Sequence, residues 1–126
     1  MIDTVGLSQF ENLFPHQLSG GMRQRAAIAQ ALVTEPELLL MDEPFGALDD
    51  FTRTELQELL LGIHKQKNIT TIFVTHSIEE AVKLGDRILL FSKRPATILD
   101  DFKIKKKQTT QEIDALYLKL RQQLIY

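Results

Sequence analysis

Leu38-Leu-Leu-Met-Asp42-Glu43 decides how this chain reads. The apolar run lies between Pro36 and Pro44 and is apolar on both faces, the pattern of a buried parallel strand. It runs into two acids, so Asp42 and Glu43 fall at the carboxyl end of the strand, where open α/β sheets bind ligands. Working outward, Leu56, Leu59, Leu60 and Ile63 repeat at i, i+3, i+4, i+7 and predict a helix from near Asp50 to near Asn68. Ile69-Thr-Thr-Ile-Phe-Val74 is β-branched and reads as a second buried strand. Ser77-Ile-Glu-Glu80 is a capping box opening a short helix, with Gly85 as its positive-φ stop. Arg87-Ile-Leu-Leu-Phe91 is a third strand, and Pro95 to Leu99 a turn into a brief edge strand. The result is two successive βαβ units with right-handed crossovers.

Composition sets the bounds. The 126 residues are 44% hydrophobic and 25% charged, with a net charge of -2, which excludes disorder for most of the chain. With no cysteine, a disulfide scaffold or thiolate metal site is excluded. Apolar runs are far shorter than the roughly 20 residues of a membrane helix, and no secretory signal or internal repeat is evident. The expectation is a soluble, cytoplasmic protein. Residues 1–102 carry 9 basic and 15 acidic groups, net -6, whereas 103–126 carry 6 and 2, net +4. The change falls at Lys103-Ile-Lys-Lys-Lys107 and divides a body, 1–102, from a basic linker and terminal helix, 103–126. Thr109-Thr-Gln-Glu112 caps that helix, and Ile113, Leu116, Tyr117, Leu120 and Leu124 give it one apolar face.

Three places carry chemistry. Asp42 at a strand tip suits Mg²⁺ held through water, and Glu43 suits polarising a water for attack on a γ-phosphate. Taken alone, the pair reads rather as two acids at a strand end, solvated or capping the next helix. Ser19-Gly20-Gly21 opens the helix-forming Met22–Val33, where free N–H groups receive an anion and glycine admits a phosphate closely. The plain alternative is an N-cap with flexible glycines. His76 follows the second strand and can donate to a phosphate oxygen, or can simply shape the turn into the Ser77 helix. Lys103–Lys107 reads as a solvated linker, Arg23 and Arg25 as surface pairs, and the terminal helix as packing on the body. His16 and His64 lack a second ligand at metal spacing and read as structural.

The combination resembles the ATP-binding cassette (ABC) ATPase family over roughly residues 5–100. Leu18-Ser-Gly-Gly-Met-Arg-Gln-Arg25 is similar to its signature motif, which takes in Gln24, and Leu38–Asp42 to its Walker B strand. Glu43 resembles the catalytic glutamate, Ala47-Leu48-Asp49 the D-loop and His76 the switch histidine. Phe45-Gly-Ala-Leu-Asp49 with Ser77-Ile-Glu-Glu-Ala-Val82 is most similar to nitrate, sulfonate and taurine importers. The resemblance implies a P-loop NTPase-type α/β fold with a parallel sheet and crossover helices. It implies ATP and Mg²⁺, with Glu43 and His76 catalytic, Asp42 on the metal, and Ser19, Gly20, Gly21, Gln24 and Asp49 on nucleotide. It also implies a second ATPase subunit joined through the signature and D-loop, and membrane-spanning permease partners. The place implied is peripheral, on the cytoplasmic face of the membrane, with no nucleic acid.

One part of the family pattern does not occur. No Gly-x-x-x-x-Gly-Lys-Ser or -Thr loop exists in the 126 residues. The expectation is therefore the carboxyl-terminal half of a nucleotide-binding domain, lacking the Walker A strand and inactive alone. A missing amino-terminal half would leave apolar strand surface and unpaired edges exposed. The alternatives to an importer ATPase are a soluble ABC protein acting on ribosomes or DNA, and an inactive remnant. No long heptad insertion of the DNA-repair kind occurs, and Phe45-Gly46-Ala47 stands where the translation factors carry Thr-Asn-His.

Overall fold

The computed structural model describes residues 1–104 and 109–124. Lys105–Lys107 of the basic run and the side chain of Leu124 lie outside the described residues. The chain forms two compact units, residues 1–74 and 75–126.

The first unit opens with turns that bury Val5 and Leu7, and a 3-10 turn at Pro15–Gln17. Helix α1 follows at Gly20–Leu32, capped by Ser19, and buries Ile28 and Leu32. Strand β1 is Leu38–Asp42, helix α2 Asp50–Lys67 and strand β2 Thr70–Val74. Helix α2 stops where the sequence says it should: Asn68 adopts φ 50°, the left-handed conformation asparagine tolerates. Its buried stripe is Leu56, Gln57, Leu60 and Ile63, with Leu59 half-buried. β1 and β2 pair in parallel from Leu38 opposite Thr70 to Asp42 opposite Val74, so β1–α2–β2 is a βαβ unit.

The sheet is buried on one face only, which corrects the two-faced expectation. Leu39 and Met41 are buried, while on the opposite face Leu40 is 67% and Ile72 53% exposed. Among the described residues no second layer covers that face, so the apolar strand surface expected for a partial sheet is present. Each strand of this two-stranded sheet also has an outer edge with no ladder partner among the described residues.

The second unit holds helix α3 (Ile78–Leu84), strand β3 (Arg87–Phe91), strand β4 (Ile98–Lys103) and helix α4 (Thr110–Leu124). β3 pairs antiparallel with β4, so the second expected βαβ unit is replaced by a hairpin. The hairpin is closed locally by Ser92 and Thr97, through Ser92 N–H to Thr97 O (2.9 Å) and Thr97 N–H to Ser92 Oγ (3.0 Å). A short loop costs little closure entropy. Ile88 and Leu90 pack with Leu120 of α4, flanked by Phe102 and Leu116, so the terminal helix folds onto the hairpin. Arg87 grips Asp101 with two hydrogen bonds, and Lys119 lies over the Phe102 ring at 4.6 Å. Thr109 and Glu112 form the complete capping box expected of them. Gly85 departs from expectation, because its φ is -83°. A Cβ there would sit 2.7 Å from the Ala81 carbonyl oxygen, so glycine serves a close approach rather than a positive φ. Among the described residues no helix is long and apolar enough to cross a membrane.

Candidate functional site

Parallel pairing brings the carboxyl ends of β1 and β2 to one edge of the first unit. Asp42 stands opposite Val74, and the Glu43 N–H donates to Val74 O at 2.9 Å, extending the ladder by one residue. Both acids are exposed. By the strand alternation, Asp42 shares its face with Leu40, Ile72 and Val74. Glu43 then turns the chain sharply, with φ at 42°, a region non-glycine residues occupy only at a cost of order 1 kcal/mol. The turn is held by Gly46 N–H to Glu43 O (3.2 Å) and Leu48 N–H to Phe45 O (3.1 Å). It is pinned from below by Phe45, which is fully buried with its ring 5.6 Å from Phe73. A buried aromatic therefore sets the direction of Glu43, a role that sequence reading did not assign to it. Its signal was available, as a Phe between turn residues at a strand end.

Asp49 caps α2 by accepting the Thr52 N–H at 3.0 Å. That backbone hydrogen bond is the main reason its carboxyl titrates below the usual 3.8. Asp49 thus has a structural role as the cap of α2. Ser19 likewise caps α1, accepting the Met22 N–H at 3.2 Å, and Gln24 lies half-buried one turn along. The two glycines of this turn differ. A Cβ on Gly20 would meet only Leu48 Cδ2, at 3.7 Å, whereas one on Gly21 would meet Thr52 Cγ2 at 2.4 Å. The Ser19 turn and the start of α2 are therefore packed directly together. Arg25 makes the expected surface pair, donating to Glu55 Oε2 at 3.1 Å, and adds a second bond, to Val5 O at 3.1 Å, that turns the pair into a clamp. Sequence separations of 20 and 30 residues hid it.

His76 belongs to the second unit and is exposed. Ser77 caps α3 by accepting the Glu80 N–H at 3.3 Å. The other half of the expected capping box is rerouted, with the Ser77 N–H going to Thr75 Oγ1 at 3.0 Å.

One carboxylate at an exposed strand end is the protein share that Mg²⁺ needs when phosphate oxygens and water supply the rest. Among the described residues, no group of three or more His, Asp or Glu is placed to hold an ion by itself. Asp42 thus fits a metal that arrives with nucleotide. Ser19 at the start of α1 and Glu43 just after β1 belong to the same unit as Asp42.

Comparison with known proteins identifies relatives of the whole chain. The ABC transporter family matches residues 1–46. The aliphatic sulfonates import ATP-binding protein of Bacillus anthracis is 47% identical over 126 residues, 97% of this chain and 50% of that protein. The taurine import ATP-binding protein of Rhizobium johnstonii is 52% identical over 102 residues, 81% of this chain and 39% of that protein. Among solved structures, a dimeric, post-hydrolysis ATP-binding cassette bound to ADP and Pi superposes with a TM-score of 0.67 at 34% identity. That match covers 84% of this chain and 45% of that one. An ABC transporter in an inward-facing conformation gives 0.73 at 29% identity, over 93% of this chain and 46% of that one. The chain spans about half the length of the curated relatives it matches. It belongs to the ABC transporter ATPases and has their α/β fold in part.

Proposed function

We propose that this chain supplies the Walker B strand, the catalytic glutamate, the D-loop, the switch histidine and the signature turn to the ATPase of an ABC importer of the sulfonate and taurine type. The observation that carries the reading is the strand tip, where Asp42 and a strained Glu43 are fixed side by side against Val74. A carboxylate oxygen of Glu43 accepts a proton from the attacking water. Asp42 holds Mg²⁺, which supplies charge neutralisation on the phosphates when bound. His76 donates to a phosphate oxygen. Ser19, Gly20, Gly21 and Gln24 face nucleotide held by a second subunit, with Asp49 ordering the loop between the two. Residues 1–102 form the cassette part, and 103–126 an appendage to it. The partners are that second subunit and membrane-spanning permeases, which choose the solute, and the place is the cytoplasmic membrane face.

None of the 126 residues forms a Gly-x-x-x-x-Gly-Lys loop, so the chain by itself binds MgATP poorly and does not hydrolyse it. The test uses the cassette completed by a segment carrying that loop. Glu43→Gln should lower turnover by roughly two orders of magnitude, as expected for loss of a general base, while ATP binding persists. Unchanged turnover would remove Glu43 from the chemistry. Calorimetry on the 126-residue chain should meanwhile show no tight MgATP binding.

A further inference from the structure

His76 stands between two residues that are tied to one buried glutamate, Thr75 to its carboxylate and Ser77 to its backbone N–H. Glu80 is only 8% exposed, unusual for a glutamate on a short helix, and buried carboxylates persist where hydrogen bonds compensate them. Its Oε2 accepts the Thr75 hydroxyl at 2.6 Å, a short, charge-assisted bond. That donation fixes the hydroxyl hydrogen, which leaves a Thr75 lone pair free to accept the Ser77 N–H at 3.0 Å. The Glu80 N–H closes the ring on Ser77 Oγ at 3.3 Å. Thr75 and Ser77, the residues on each side of His76, are thus held by the side chain and the backbone of Glu80.

We infer that Glu80 is a positioning residue for His76: through Thr75 and Ser77 it fixes the backbone from which the imidazole projects. The inference rests on the proposed role of His76 toward phosphate. A helix cap alone needs only Ser77 Oγ and the Glu80 N–H, and any residue at 80 supplies that N–H. The carboxylate reaches past the cap to Thr75, one residue before the histidine. A backbone loosened there displaces the ring by a fraction of an ångström to an ångström, enough to cost up to about a hundredfold in rate when a group must meet a reacting oxygen.

The experiment measures steady-state ATP hydrolysis by the completed cassette. Glu80→Ala should lower kcat about tenfold or more with KM for ATP within about twofold, since alignment and not ground-state binding is lost. Glu80→Gln keeps an acceptor for the Thr75 hydroxyl and should retain most of kcat. Thr75→Val keeps shape but removes the hydroxyl, so it should reproduce the Glu80→Ala loss and carries the test if Glu80→Ala fails to fold. In a His76→Ala background, Glu80→Ala should cause no further loss. Full kcat in Glu80→Ala and Thr75→Val, or an undiminished loss in the His76→Ala background, overturns the inference alone. Normal turnover by His76→Ala overturns both it and the role given to His76.

Discussion

Replacing Gly21 by alanine tests whether the glycine pair of the Ser19 turn serves packing or ligand approach. An ideal Cβ on Gly21 would lie 2.4 Å from Thr52 Cγ2. Carbon atoms in contact sit about 3.5–4.0 Å apart, so the two helices must separate locally by about 1 Å or Thr52 must leave its rotamer. Separation is resisted by Arg25, which ties α1 to Glu55 of α2. Overpacking of this kind costs about 1–3 kcal/mol. Alanine recovers at most about 1 kcal/mol through its better helix preference, less near a helix end. The expected net effect is therefore a loss of about 1–2 kcal/mol. Gly20→Ala meets only an ordinary contact with Leu48 and should be neutral or stabilising by up to about 1 kcal/mol. Thr52→Ser removes the offending methyl while leaving the Asp49 cap intact, because the cap uses the backbone of residue 52. The double variant Gly21→Ala/Thr52→Ser should therefore regain at least half of the loss. Urea unfolding followed by far-ultraviolet circular dichroism measures all four proteins. Equal stability of the two alanine variants, or no relief from Thr52→Ser, would refute the packing account and return Gly21 to ligand approach alone.

Other consequences are as direct. Asp49 has a depressed carboxyl in the fold, so its contribution is present above the ordinary 3.8 and lost as pH falls through the lower folded value; Asp49→Ala should flatten the acid limb of stability against pH below about 4. Arg25→Met keeps much of the apolar stem but leaves the carbonyl of buried Val5 without this donor, and should cost about 1–3 kcal/mol in thermal melts. Glu43→Gly relieves a left-handed φ and should raise stability by up to about 1 kcal/mol while abolishing hydrolysis in the completed cassette; a loss of stability would mean that the Glu43 side chain supports the turn. Leu40→Lys on the open sheet face should reduce binding of a hydrophobic dye by the 126-residue chain with little change in unfolding midpoint.

The elements that were legible in the sequence owe their form to neighbours within a turn or a strand. Asn68 stops α2, Thr109 and Glu112 start α4, and Ser19, Asp49 and Ser77 cap their helices through bonds spanning three residues. Such contacts lie inside the window that a pattern covers. Arg25 reaching Val5 and Glu55 does not, nor does Thr52 pressing on Gly21. The hairpin of β3 and β4 is closed by Ser92 and Thr97, a polar detail invisible to hydrophobic periodicity. Glu43 shows the limit most sharply. The sequence marks it as an acid after a strand, but shows neither its left-handed backbone nor the burial of Phe45 two residues on that accompanies it.

The one-sided sheet follows the same logic and bears on the site. A continuous apolar run says that both faces of a strand are to be covered, without saying by what. Here Leu39 and Met41 are covered and Leu40 is not. Asp42 lies on the uncovered face, two residues beyond Leu40 and opposite Val74, which is itself exposed. A layer laid over Leu40 and Ile72 must therefore pass beside Asp42, and its strand or helix ends would arrive at the same edge as Glu43. The apolar surface left open at Leu40 and Ile72 thus borders the strand ends that carry Asp42 and Glu43, and burying it would be worth roughly 25 cal/mol per Å².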